Sequence, residues 1–163
     1  MNPAVTLRLP EPGDLDVLYR WENDPTQWHN QLTVPLTSRH MLWAWLRDYT
    51  PGTDQGIRLM VEADGSTVGT VDLADCSARN GTAFVSIYID AAHRGRGIAT
   101  AALARAITLA ADGYGLERLA ALVAADNAAS LRLFTSAGFT RTGTLPSWLR
   151  TPSGRTDLHL LTR

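Results

Sequence analysis

Cysteine is almost missing from this chain: Cys76 is the only one in 163 residues, which excludes an internal disulfide and any cysteine-rich zinc site. A surplus of one charge is missing too. Fifteen Lys+Arg stand against sixteen Asp+Glu, a formal net charge of -1, so no sequence-wide basic excess exists to neutralise a phosphate backbone or an anionic bilayer. Neither nucleic acid nor membrane is therefore expected as a partner. Long apolar runs are also lacking. The stretch Ala101 to Ala111 is broken by Arg105 and falls short of the roughly 20 residues that span a bilayer. No secretory segment is read ahead of Val5, and with a lone cysteine this points to a reducing compartment, the cytoplasm. The histidines His40, His93 and His159 show no metal-ligand spacing, so no metal is expected. Without a linker, repeat or low-complexity tract, and with hydrophobic residues at 45%, the chain reads as one domain over residues 1–163.

What is present is a clear alternation of periods. Val5, Leu7 and Leu9 alternate with polar residues as a half-buried strand does, until Pro10 and Pro12 stop it. From Asp14, the positions Leu15, Leu18, Tyr19 and Trp21 follow helical spacing and end at Asn23-Asp24-Pro25. A second helix starts at Thr37 or Ser38 as N-cap, with Met41, Leu42, Trp45 and Leu46 on one face, and ends near Thr50-Pro51-Gly52. Strand periodicity follows. Ile57 to Ala63 and Thr67 to Ala74, joined by Asp64-Gly65-Ser66, predict a hairpin, and Ala83 to Ile89 extends it into an antiparallel meander. A helix from about Gly97 to Ala111, a strand at Leu119 to Ala124, a helix at Asn127 to Ala137 and strands near Phe139 to Leu145 and Asp157 to Leu161 complete the order β-α-α-β-β-β-α-β-α-β-β.

The chemistry concentrates where the meander meets the long helix, at Asp90-Ala91-Ala92-His93-Arg94-Gly95-Arg96-Gly97-Ile98-Ala99-Thr100. A strand that passes through a glycine-rich turn straight into a helix leaves first-turn N–H groups unpaired beside the positive end of the helix dipole, which is an anion site. Gly95 and Gly97 let the backbone approach a diphosphate, and Arg94 and Arg96 add charge suited to phosphate oxygens. A P-loop is excluded because no Gly-Lys-Ser/Thr occurs here. The dinucleotide fingerprint fits Gly95 and Gly97 but meets Thr100 at its third glycine, and Glu117 lies before the next strand instead of closing it, which disfavours a nucleotide-dependent oxidoreductase. Taken alone, the segment could also be a turn that merely caps a helix.

Two motifs together carry a family resemblance. Arg94-x-x-Gly97-x-Ala99 resembles the acetyl-CoA motif of GNAT acetyltransferases, Gln/Arg-x-x-Gly-x-Gly/Ala, which lies between their fourth strand and third helix. Some thirty residues on, Asn127-x-x-Ser130-x-x-Leu133-Phe134-x-x-x-Gly138-Phe139 resembles the second GNAT signature, the helix after strand five that packs on the pantetheine arm. The segment Tyr19-x-Trp21-Glu22-Asn23-Asp24-Pro25 is similar to the opening helix of the subgroup of ribosomal-protein N-terminal and spermidine acetyltransferases. The resemblance implies an α/β (α+β) GNAT fold, with a mixed, mostly antiparallel sheet splayed between strands four and five and flanked by about four helices. It implies acetyl-CoA as co-substrate and direct attack of a primary amine, on a small molecule or a peptide or protein N-terminus. Alternatives are a polyamine (spermidine) acetyltransferase and a non-catalytic acetyl-CoA-binding or sensing domain. A homodimer is left open.

Residue by residue, the resemblance assigns the diphosphate to the backbone of Arg94, Gly95, Arg96, Gly97, Ile98 and Ala99. The pantetheine amides fall to the edge of Ile87-Tyr88-Ile89, where the arm adds like a strand, and to Asn127, with Ser130 and Phe134 alongside. A backbone N–H near Tyr88 or Ile89 would stabilise the oxyanion. One departure stands out: many GNAT enzymes have at the position of Phe134 a tyrosine that protonates the departing thiolate, so Ser130 becomes the candidate acid. A thiol of pKa near 8.5 tolerates weak acid assistance. Candidate bases are Glu22, Asp24, His29 and Asp72. A lysine-like amine of pKa about 10.4 costs roughly 4.6 kcal/mol to deprotonate at pH 7, against about 1 kcal/mol for an α-amine near 7.8, so only the former demands a strong base. Cys76 lies outside the motifs and reads as packing. Among five tryptophans, Trp28 beside His29 is the one expected to contact an acceptor. Carboxylates of the N-terminal half, Glu22, Asp24, Asp54, Glu62 and Asp72, are interspersed with Arg39, Arg47 and Arg58, a mixture that suits an acceptor with one reacting amine and a polar or anionic remainder better than a polyamine.

Overall fold

The computed structural model describes residues 4–30, 36–52 and 56–163. In chain order these form β1 (Val5–Arg8), α1 (Leu15–Glu22), α2 (Arg39–Asp48), β2 (Ile57–Ala63), β3 (Ser66–Ser77), β4 (Thr82–Ile89), α3 (Ile98–Tyr114), β5 (Arg118–Ala124), α4 (Ala128–Ser136), β6 (Thr140–Thr151) and β7 (Gly154–Thr162), with short 3-10 turns at Pro12–Asp14, Pro25–Asn30 and Ala91–His93. The element order read from periodicity is the order observed. Asp64 (φ 52) and Gly65 (φ 76) make the two-residue, left-handed turn that joins β2 to β3, as the hairpin signal required.

Among the described residues the strands build a seven-stranded sheet in the order β1-β2-β3-β4-β5-β7-β6, in which only β4 and β5 run parallel. Their pairing covers just Thr82–Phe84 against Arg118–Ala120. Beyond it the strands part. β3 holds β4 along its other edge through Ile89, whereas β7 holds β5 from Ala120 to Ala124, and the two partners carry them in different directions. The splay implied by the family resemblance is therefore present, and its cause is the rival pairing on either side.

Alternation on the strands divides the core. Leu59, Val61, Val71, Leu73, Val85 and Ile89 face α3, whose small buried face of Ala102, Ala106 and Ala110 brings helix and sheet close together; Phe134 of α4 belongs to the same cluster. The intervening residues face α1 and α2, where Leu18, Trp21 and Leu42 close over Met60, with Tyr88 packed against them. On the α1 side Asp14, 5% exposed, receives Arg8 Nη1 and Nη2 at 2.7 and 2.8 Å and the Glu11 amide at 2.7 Å. Burial opposes ionisation of Asp14, yet these bonds hold its carboxyl below the usual carboxylate range.

The last hairpin is longer than the sequence predicts. The strand expected near Phe139 to Leu145 runs on through Pro146 to Thr151, because β6 is the sheet's outer strand, where a missing amide costs no ladder bond, and a register shift between Leu145 and Leu149 absorbs it.

Candidate active site

The gap between β4 and β5 opens into a cleft of about 970 Å³ that runs from the start of α3 and α4 across to the face under α1 and α2. At one end, Gly95 (φ 74) and Gly97 (φ 76) hold left-handed backbone and face open space. Only glycine takes this conformation without cost. Gly97 is the N-cap of α3 and no side chain caps it. The first helical bond runs from the Ala101 amide to Gly97 O, so the amides of Ile98, Ala99 and Thr100 precede the ladder and face outward. Unfilled space before two left-handed glycines, an uncapped helix start and its positive dipole end fit an extended diphosphate.

Of the residues expected around the co-substrate, Ile87, Tyr88, Ile89, Arg94, Gly95, Gly97, Ile98, Ala99, Asn127 and Ser130 all line this cleft. Two do not. Arg96 turns away to pair with Asp64 of the β2–β3 turn at 2.7 Å, because the left-handed Gly95 between the arginines sends their side chains apart. Phe134 is 3% exposed and stacks edge-on against Phe139, with ring centroids 5.1 Å apart. Its place is the core, and an aromatic there serves packing. Arg94 is held by Ile89 O at 2.8 Å and reaches Gln27 Oε1 at 3.2 Å, tying the turn to the segment after α1. Asn127 Oδ1 caps α4 by accepting the Ser130 amide at 3.1 Å, which sets Ser130 on the first turn, half-buried at the cleft wall.

The opposite end is built from side chains on the α1–α2 face. Arg58 of β2 donates to both oxygens of Asp72 on β3, at 2.6 and 3.0 Å, and to Glu22 Oε1 of α1 at 2.7 Å. Burial opposes the guanidinium's charge, but the two carboxylates more than offset it and raise its affinity for the proton. Trp45 lies over the same guanidinium, its centroid 5.3 Å from Cζ. The candidate bases Glu22 and Asp72 thus share one partner, and taking a proton from an amine would break those bonds. Asp24 sits apart from the triad, its carboxyl held low by the Thr26 hydroxyl and amide. Glu62 pairs with Arg8, and Arg39 and Arg47 pair with Asp16 and Asp48, so none of the three reaches the cleft. The side chain of His29 and all of Asp54 lie outside the described residues. Trp28 is not among the cleft-lining residues; its indole N–H is buried without a partner among the described residues. Burial, with Asp75 nearby, pushes the Cys76 thiol up, which suits packing and not nucleophilic attack.

Sequence reasoning passed over Arg58 as a site residue, and Thr70, Ser86 and Gln27 entirely, although all four line the cleft. An arginine within the apolar run Ile57–Val61 was a usable signal. Thr70 offered none, since threonine is an ordinary strand residue.

Comparison with known proteins decides the family. A family model described as an acetyltransferase (GNAT) domain matches residues 4–140. The chain belongs to the GNAT acetyltransferase family. An L-2,4-diaminobutyric acid acetyltransferase of Streptomyces avermitilis is 33% identical over 83% of this chain and 71% of the relative. An L-amino acid N-acetyltransferase of Escherichia coli is 29% identical over 86% of this chain and 85% of its own length. The crystal structure of a Vibrio cholerae spermidine N-acetyltransferase in complex with CoA and spermine superposes with a TM-score of 0.89, covering 98% of this chain and 94% of that one at 22% identity, a likeness of fold. As a GNAT enzyme the chain is an N-acetyltransferase with acetyl-CoA as co-substrate and an amine as acceptor. No described helix is long and apolar enough to cross a membrane.

Proposed function

We propose that this enzyme acetylates the amine of an amino-acid-type acceptor, a small molecule or peptide end carrying one reacting amine and an anionic remainder. The observation that carries this reading is Arg58, a guanidinium in the cleft wall, 23% exposed, with a carboxylate on either side. A polyamine site needs negative charge with little competing cation, and here the cation stands at the centre. An acceptor carboxylate would take Nη positions by displacing Glu22, while the freed Glu22 and Asp72 favour the acceptor's ammonium as it arrives. Two relatives named for amino-acid acceptors agree with this choice.

Acetyl-CoA, when bound, supplies the thioester. The chain's own groups do the rest. The uncapped start of α3 and Arg94 hold the anionic end, and the open edge of β4 at Ile87–Ile89 offers backbone groups to the arm and to the carbonyl. The Ser130 hydroxyl, without a partner among the described residues, delivers its proton to the leaving sulfur and regains one, through solvent, from the attacking nitrogen, which sheds a proton as it becomes the amide. Glu22 and Asp72 act as charge partners more than as strong bases, which an α-amine does not require. The location we infer is the cytoplasm, where a lone cysteine stays reduced.

The test is release of free thiol from acetyl-CoA over L-amino acids, N-terminal peptides and spermidine, each also as its amide or ester where one exists. Turnover of amino acids that falls when the carboxylate is masked supports the reading. Spermidine turned over more efficiently than every amino acid and peptide overturns it in favour of a polyamine enzyme.

A further inference from the structure

Among the described residues, two polar side chains are buried, Asp14 and Thr70. Asp14 has every reason to be where it is, bonded to Arg8 and to the Glu11 amide. Thr70 is 7% exposed and lines the cleft, yet its hydroxyl has no hydrogen-bond partner among the described residues. Valine would fill the same volume, and the hydroxyl, open to the cleft, makes no bond that the fold uses, so packing does not explain the residue. Its surroundings do not explain it either: Thr70 lies opposite Met60 on β2 and Tyr88 on β4, and Tyr88 turns its ring onto Trp21, 5.4 Å between centroids.

Position gives the hydroxyl a role. Thr70 and Asp72 are two apart on β3 and share the α1–α2 face, so their side chains stand roughly 6.5 to 7 Å apart along the strand. Asp72 marks the place of Arg58, and Thr70 lies beside the part of β4, Ile87 to Ile89, that borders the open gap. A small acceptor anchored at Arg58 and extended along β3 would bring its amine to Thr70 just before the gap.

We propose that the Thr70 hydroxyl holds the acceptor amine, accepting a hydrogen bond from its N–H so that the nitrogen lone pair faces the space between β4 and β5. The amine then reaches the thioester already oriented, a contribution of geometry and not of proton transfer. This inference rests on the reading above for the face by which the acceptor enters, and not for the acceptor's identity.

The experiment compares Thr70→Val and Thr70→Ser in the intact chain, using initial rates with the best acceptor among L-amino acids, N-terminal peptides and spermidine, together with melting temperatures without ligand. Thr70→Val should lower kcat/KM for the acceptor by about 10- to 100-fold and leave KM for acetyl-CoA within about twofold, while Thr70→Ser recovers most of the loss. The melting temperature of Thr70→Val should stay level or rise, because no structural bond is lost. A kcat/KM for Thr70→Val within about twofold of the parent overturns the proposal. So does a melting temperature that drops in the valine variant and returns in the serine one, which would make the hydroxyl structural. If spermidine proves the best acceptor and Thr70→Val still suppresses it, the amino-acid reading fails and the role of Thr70 stands.

Discussion

The two ends of the cleft are made of different material. The end at α3 is backbone: two left-handed glycines, an uncapped helix start and the unpaired edge of a strand. The end under α1 and α2 is side chains from three elements, Arg58, Asp72 and Glu22, with Thr70 and Tyr88 between them and the gap. The difference suits what we propose each end recognises. A co-substrate that never changes can be held by main-chain groups whose geometry follows from the fold, whereas an acceptor that differs from one family member to the next is read by side chains that can change without disturbing the sheet.

Arg58→Ala cuts deepest into the side-chain end. It leaves Glu22 and Asp72 facing each other without a cation, so we expect a stability loss of roughly 2 to 3 kcal/mol and a fall in acceptor kcat/KM of at least about 100-fold, while calorimetry shows acetyl-CoA affinity nearly unchanged. Loss of both affinities together would break the separation between the two ends. Ser130→Ala tests the point where they meet: kcat with the best acceptor should fall about 10- to 100-fold if the hydroxyl protonates the thiolate, and an unchanged kcat makes Ser130 a residue of the helix start only.

At the backbone end, Gly97→Ala puts a Cβ into the open space proposed for the diphosphate, so acetyl-CoA binding should weaken about tenfold with the acceptor KM unmoved, while the left-handed φ of 76 costs the fold about 1 to 2 kcal/mol. Titration calorimetry on folded variant protein decides it. The smallest effect concerns Asp90, which receives Trp21 Nε1 at 2.9 Å and Arg20 at 3.3 Å and so couples α1 to the end of β4. The indole bond holds the Asp90 carboxyl below its usual range, against partial burial. Its stabilisation is therefore present above the unfolded value of about 3.9 and lost as pH falls through the lower folded value. Asp90→Asn should cost about 1 kcal/mol at pH 7 and progressively less as pH falls through the lowered folded value, measured as the gap between melting curves of variant and parent. A gap that persists at low pH would assign the effect to shape and not to charge.

Element order, the β2–β3 turn and the glycine turn before α3 are local, and each was readable because its cause lies within a few residues of itself, whereas the capping of α4 by Asn127, equally local, was passed over. Hydrophobic period, glycine placement and cap chemistry are properties of short segments. Arg96 and Phe134 show the limit of that reading. Motif position alone placed both at the co-substrate, but Arg96 finds Asp64 thirty-two residues away and Phe134 finds Phe139 in the core.

By itself, then, the sequence determined the order of elements, the family motifs and the glycine turn that opens α3, since all three depend on spacing along the chain. The tertiary structure alone decided that β4 and β5 part after Phe84, because that follows from which neighbours each strand pairs with. It also decided that Glu22, Arg58 and Asp72, separated by 36 and 14 positions, meet at one guanidinium, and that Thr70 faces a cleft instead of a partner. Contacts of that kind are made by strand register and helix packing, and no window of sequence contains both of their sides.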